Sequence, residues 1–174
     1  MRENLRMSID MFLLLFTVLC VVFLDRMTKI FFSDFLKVGE SFPVIQNILH
    51  MTLVQNTGIA FGLFKDQGMV FIIIPIIAAG LLIFNIYYYK TNQHSLSRLY
   101  IVAFSLILGG AVGNLIDRIV FGYVIDFIDF RVWPVFNVAD SAITIGAVFI
   151  AWTCLPWIKK VGKGSQKSEV KGQK

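Results

Sequence analysis

Asp126 and Asp140 bracket a short segment that joins two long apolar runs. An ionisable group at the edge of hydrocarbon costs roughly 2.5 kcal/mol or more, so such residues usually carry a function. Two carboxylates brought together can share one proton and work as an acid and a base. Between them, Trp133 and Pro134 predict a chain that turns and comes back, which would bring both acids within reach of one water. Spacing leaves a second reading open, with Asp140 a structural cap and Asp126 a solvated loop acid. Other chemistries fall away. His50 and His94 are expected on opposite sides of a membrane, so they cannot share a metal. There is no H-E-x-x-H helix, no G-x-S-x-G elbow, no Walker A and no dinucleotide glycine motif. The glutamates are Glu3, Glu40 and Glu169, all outside the apolar runs, so a hydrolase built on this chain is expected to use aspartates as its acid and base.

The elements that position these acids follow from composition. The chain has 174 residues, 57% hydrophobic and 16% charged, with a mean hydropathy of +0.75. That is the composition of an integral membrane protein rather than a soluble domain. Four stretches, at about 8–32, 68–89, 99–120 and 137–158, reach the roughly 20 residues a helix needs to cross a bilayer. The expected fold is a membrane all-α, four-transmembrane-helix bundle carrying a small β-rich region in an outer loop at about 33–67. Residues 1–160 read as one domain, and 161–174 as a disordered basic tail. The net charge of +5 does not indicate nucleic acid, because the excess lies in short connections and in the tail. Arg2, Arg6, Lys90, Arg98 and the tail lysines share one side, which places both termini in the cytoplasm. Cys20 and Cys154 lie within apolar runs and read as small hydrophobes. The start resembles a signal peptide, but the apolar run continues past Cys20 to Phe32 without a small-x-small site, so an uncleaved first helix is expected.

Polar residues from separate parts of the chain converge on the outer leaflet: Asp25 and Lys29, Asn56 and Gly58, Asn114, Asp117 and Arg118, Asn137, Asp140 and Ser141. A pocket explains that convergence. Asp25 and Lys29, spaced i,i+4, read first as a structural ion pair and second as a substrate contact. Asp117 is expected to pair with Arg118 or Lys29 rather than react. Asn137 reads as a helix cap that can also donate to a reacting group. Gly109 to Gly113 forms a G-x-x-x-G step for close helix packing, and Pro75 a kink. Ser141 reads as a packing or hydrogen-bonding residue, since no Ser-His base is present. Asp129 is expected in an exposed, solvated segment. The outer loop, from Ser41 to Asn56, predicts two or three short strands, serving either as an edge for an extended peptide or as a lid over the helix ends.

Several blocks together resemble one family. Residues 113–118 read Gly-Asn-Leu-Ile-Asp-Arg, 122–127 Gly-Tyr-Val-Ile-Asp-Phe and 136–141 Phe-Asn-Val-Ala-Asp-Ser; 25–29 read Asp-Arg-Met-Thr-Lys, and 56–61 Asn-Thr-Gly-Ile-Ala-Phe. In order and spacing they resemble the lipoprotein signal peptidases, also called signal peptidase II. The resemblance implies an intramembrane aspartyl endopeptidase of the bacterial cytoplasmic membrane. Such an enzyme cleaves the signal peptide of a prolipoprotein just before its diacylglyceryl-modified cysteine, on the outer side. It further implies Asp126 and Asp140 as the catalytic pair. Asn56, Gly58, Asn114, Asp117, Arg118, Asn137 and Ala139 match positions that shape or support the site. Ile59 and Arg26 depart from the usual pattern, where alanine and glutamine are common. No metal or organic cofactor is required, the partners are lipidated precursors and membrane lipid, and a monomer is expected. The rival readings are a small transporter or proton channel using the same acids, and a structural subunit with the polar cluster as helix glue. Acids gathered at one end, without an inverted repeat, count against a path through the membrane.

Overall fold

The computed structural model describes residues 2–58, 80 and 98–152. The second apolar stretch apart from Gly80, the 90–97 connection, Pro75, Ile59, His94, Cys154 and the basic tail lie outside the described residues; among the described residues, three of the four expected spans are seen as helices. Helix α1 runs Arg2–Phe35, α2 runs Arg98–Phe121 and α3 runs Val138–Trp152. The first is longer than the expected 8–32. Residues 2–7 include good helix formers, and the helix continues through Ser33 and Asp34 until Gly39 turns the chain at φ 84°. Its 34 residues rise about 50 Å, more than the roughly 30 Å of a bilayer core. Exposed Phe12, Leu15, Phe16, Leu19 and Phe23 line its outer face, which suits contact with lipid.

Three strands form an antiparallel sheet in the order β1 (Ser41–Ile45), β2 (Leu49–Asn56), β3 (Val124–Asp129). The outer loop supplies two of them, as expected. The third comes from the segment after α2, which sequence reading treated only as a turn and return. Helix α2 ends where Gly122 adopts φ 80° and its N–H bonds the carbonyl of Arg118 at 3.1 Å. A glycine in that left-handed conformation is a common helix stop. The chain then enters β3, whose alternation drives Ile125 and Phe127 onto the end of α1. Phe127 stacks on Phe32 at 4.5 Å, and Ile125 packs with Leu36 and Leu53.

The sheet also corrects the reading of Asp129, which is buried rather than solvated. Thr52 donates to Asp129 Oδ2 at 2.7 Å, and Arg131 donates from its backbone N–H at 2.7 Å and its guanidinium at 3.1 Å. Burial alone would raise its pKa, but these donors and the Arg131 charge outweigh it and hold the carboxyl below its ordinary range.

The helices approach closely through glycine, as the G-x-x-x-G step predicts. Gly109 faces Val18 and Val21 of α1, Gly113 faces the Asp25 carboxylate, and Gly110 faces the backbone of Ala139 in α3. A Cβ at Gly113 would lie 2.7 Å from Asp25 Oδ2, and one at Gly110 would press into the Ala139 carbonyl. That carbonyl is helix backbone and cannot move aside. Gly110→Ala should therefore force α2 and α3 apart and destabilise the fold by about 1–3 kcal/mol. The check is the thermal unfolding midpoint in detergent micelles; an unchanged midpoint would refute this packing.

Candidate functional site

The sequence-selected residues assemble at one end of the helices in two connected layers. The lower layer is a buried charge cluster. Asp25 and Asp117 are each 0% exposed and Lys29 is 1% exposed. The Lys29 ammonium lies 2.9 Å from Asp25 Oδ2 and 2.7 Å from Asp117 Oδ2. Asp117 thus takes one of its two anticipated partners. Arg26, noted from the sequence only as a departure from the family pattern, adds a second cation at 2.6 Å from Asp117 Oδ1 and 3.1 Å from Asp25 Oδ2. The signal that could have found it is its own charge within an apolar run, which demands a partner.

These acids also hold backbone. Asp25 Oδ1 accepts the Ala139 N–H at 3.1 Å, and Asp117 Oδ2 accepts the Ile125 N–H at 3.1 Å. One fixes the first turn of α3 and the other fixes β3, and those two elements carry Asp140 and Asp126. Ala139 is fully buried, and its small side chain is what permits the approach of Gly110 and Gly113.

The upper layer is the pair of acids with three asparagines. Asp126 points from β3, and Asp140 from the first turn of α3. Each of the four carboxylate oxygens accepts one protein donor. Asn137 Nδ2 reaches Asp126 Oδ1 at 2.7 Å and Asn56 Nδ2 reaches Asp126 Oδ2 at 2.8 Å. Asn114 Nδ2 reaches Asp140 Oδ1 at 2.8 Å, and the Asn137 backbone N–H reaches Asp140 Oδ2 at 3.2 Å. Asparagine amides can turn either way, but here each oxygen faces a donor: the Gly58 N–H for Asn56 at 3.0 Å, Lys29 for Asn114 at 3.0 Å, and the Asp140 N–H for Asn137 at 2.9 Å. Each amide nitrogen is thereby directed at a carboxylate. Asn137 caps α3 as its sequence position predicted, exchanging bonds with Asp140 in the manner of a capping box.

Asn56, Gly58, Asn114, Asn137 and Ala139 are thus brought together with both acids. Arg118, in the last turn of α2, lies within electrostatic reach of Asp140, Asp126 and Asp117. Ser141 donates to the Asn137 carbonyl at 2.9 Å, a helix-turn bond of the kind expected of it. Asp126 and Asn137 are buried, while Asp140 is half-buried.

Burial raises the pKa of Asp126 from 3.8 to about 7, and the Asp140 charge adds to the rise; Asn56, Lys29 and Asn137 oppose it without cancelling it. Neighbouring carboxylates of this kind titrate as a unit and retain a proton near neutrality. The sign for stability follows. Below the ordinary value the group is protonated in both folded and unfolded chains. Between 3.8 and about 7 the folded chain alone keeps the proton, so this contribution to stability is lost as pH rises through about 7.

The sequence profile of the family described as signal peptidase (SPase) II matches residues 17–156. A lipoprotein signal peptidase of Halothermothrix orenii is 48% identical over 133 residues, covering 76% of this chain and 88% of that one. A lipoprotein signal peptidase of Fusobacterium nucleatum is 40% identical over 143 residues, covering 81% and 85%. A bacterial membrane enzyme solved at 2.3 Å superposes with a TM-score of 0.73 at 34% identity, covering 86% of this chain and 90% of its own. Another bacterial membrane enzyme structure, at 1.9 Å, gives a TM-score of 0.71 at 36% identity, covering 82% and 92%.

The titration of Asp126 has a measurable signature. The unfolding midpoint of the native protein should fall as pH rises from about 4 to about 7, and Asp126→Asn should flatten that fall and raise the midpoint at pH 8. Parallel curves for the two proteins would place the titration elsewhere.

Proposed function

This chain belongs to the signal peptidase II family, and from that membership we propose that it removes signal peptides from lipoprotein precursors with Asp126 and Asp140 as an aspartyl dyad. The observation that carries the reading is the convergence of both carboxylates on Asn137, with every carboxylate oxygen on an oriented donor. Such preorganisation holds acid and base in one geometry before substrate arrives.

In the proposed reaction one aspartate is ionised and takes a proton from water. The other is protonated and hydrogen-bonds the scissile carbonyl. The water oxygen bonds the carbonyl carbon, giving a tetrahedral intermediate. Collapse breaks the carbon–nitrogen bond, and the departing amine takes up a proton from the dyad. The raised proton affinity of Asp126 suits this exchange near neutral pH.

The substrate is a prolipoprotein whose cysteine carries diacylglycerol, cut just before that cysteine. Its acyl chains remain in lipid while the signal helix lies along the helices, so encounter is confined to two dimensions. Residues 1–160 act as one peptidase domain with both termini in the cytoplasm and the dyad near the outer leaflet. The lysine and arginine distribution supports that orientation.

Asp126→Asn and Asp140→Asn should each reduce cleavage of a lipidated precursor peptide by about 10⁴-fold or more, in line with loss of an essential acid or base. Both proteins should still insert and unfold cooperatively. The assay uses purified protein in micelles without added metal or partner, and near-native cleavage by either variant would remove the dyad assignment.

A further inference from the structure

The hydrolytic reading employs two carboxylates and leaves Lys29 without a task. An ammonium has three hydrogens. Ion pairs with Asp25 at 2.9 Å and Asp117 at 2.7 Å already flank it on both sides. It also donates a hydrogen bond to an uncharged group, Asn114 Oδ1, at 3.0 Å. A cluster built only to join helices does not require that bond.

The bond has a consequence for Asn114. With its oxygen on Lys29, its nitrogen is turned onto Asp140 Oδ1 at 2.8 Å. The flipped amide would oppose donor to donor at Lys29 and oxygen to carboxylate at Asp140. No other neighbour settles the choice as firmly. Asn137 Nδ2 also reaches Asn114 Oδ1 at 3.0 Å, but it faces Ile125 O at 3.2 Å and Asp126 Oδ1 at 2.7 Å as well. Two hydrogens cannot fully serve three acceptors.

We propose that Lys29 is a positioning residue for hydrolysis: its buried ammonium sets the orientation of the Asn114 amide, and through it the placement of Asp140. This rests on the reading of Asp126 and Asp140 as the dyad. The charged groups around Lys29 are Asp25 and Arg26 from α1, Asp117 and Arg118 from α2, Asp126 from β3 and Asp140 from α3. Arg26 shares Asp25 and Asp117 with Lys29, so the two acids are matched by two cations. Lys29 is 1% exposed and has no access to a substrate, so it acts only through its neighbours, and Asn114 is the one that links it to Asp140 by hydrogen bonds.

The test is kinetic and uses a lipidated precursor peptide in mixed micelles. Lys29→Met should lower kcat by about 10- to 100-fold, the weight of a hydrogen bond to a charged group, with KM changed less than about twofold. Removing the nearby cation should also move the pH profile of kcat to higher pH. Asn114→Ala should give a similar loss, and the Lys29→Met/Asn114→Ala pair should be no worse than the poorer single variant, because both cut one pathway. Where Lys29→Met fails to insert, the charge-balanced Asp25→Asn/Lys29→Met pair, measured against Asp25→Asn alone, carries the same comparison. Losses that multiply, or a lowered unfolding midpoint with kcat and pH profile unchanged, would overturn the inference. Asp126→Asn and Asp140→Asn run alongside. Residual cleavage there would sink the dyad itself, whereas inactivity there beside an undiminished kcat in the Lys29 variants would overturn only the role of Lys29.

Discussion

A lysine buried between two aspartates joins α1 to α2 next to the layer that carries Asp126 and Asp140. Taking such charges out of water costs several kcal/mol per ion, and their attraction offsets this only with close geometry and further hydrogen bonds. Both conditions hold. The ion-pair distances among Lys29, Arg26, Asp25 and Asp117 run from 2.6 to 3.1 Å. Asp25 Oδ1 and Asp117 Oδ2 also accept the N–H groups of Ala139 and Ile125. The cluster therefore does more than join two helices. It fixes the backbone of α3 and of β3 from beneath, and those elements have little freedom left in how they present their acids.

The asparagine layer turns that rigidity into chemical direction. An amide is ambiguous on its own, since its two ends are nearly the same shape. Asn56, Asn114 and Asn137 lose the ambiguity because each oxygen meets a donor, leaving three nitrogens aimed at two carboxylates. Three amides, those of Asn114 and Asn137 buried and that of Asn56 half-buried, supply hydrogen bonding to the acids without adding net charge. The proton affinity of the pair can then be set by burial and by the acids' mutual repulsion, rather than being quenched by a cation in direct contact.

Much of this site was legible in the sequence, because charge in an apolar run is rare and each case requires a reason. Asp25, Lys29, Asn114, Asp117, Asn137 and Asp140 could be placed at one depth by counting along helices. The G-x-x-x-G step announced close packing, and Gly110 and Gly113 supply it against Ala139 and Asp25. What failed was the segment between α2 and α3. Without helical periodicity or a long alternating run, β3 could not be told from a solvated connection. Its pairing partner β2 lies far away in sequence, so no local signal specified it. Asp129 was misjudged for the same reason, since its burial depends on Thr52 across the sheet. The role of Arg26 was missed because two of its partners, Asp117 and the carbonyl of Gly113, sit on another helix.

The corner at Gly122 ties two periodicities together. Helical phase decides where Asp117 points, strand alternation decides where Asp126 points, and only Gly122 and Tyr123 separate the two regimes. Adding or deleting a single residue there would invert the pleat beyond it, exchanging Asp126 for Ile125 or Phe127. This bend can absorb a change of side chain far more readily than a change of length. Among relatives its residue count should be held more strictly than its composition.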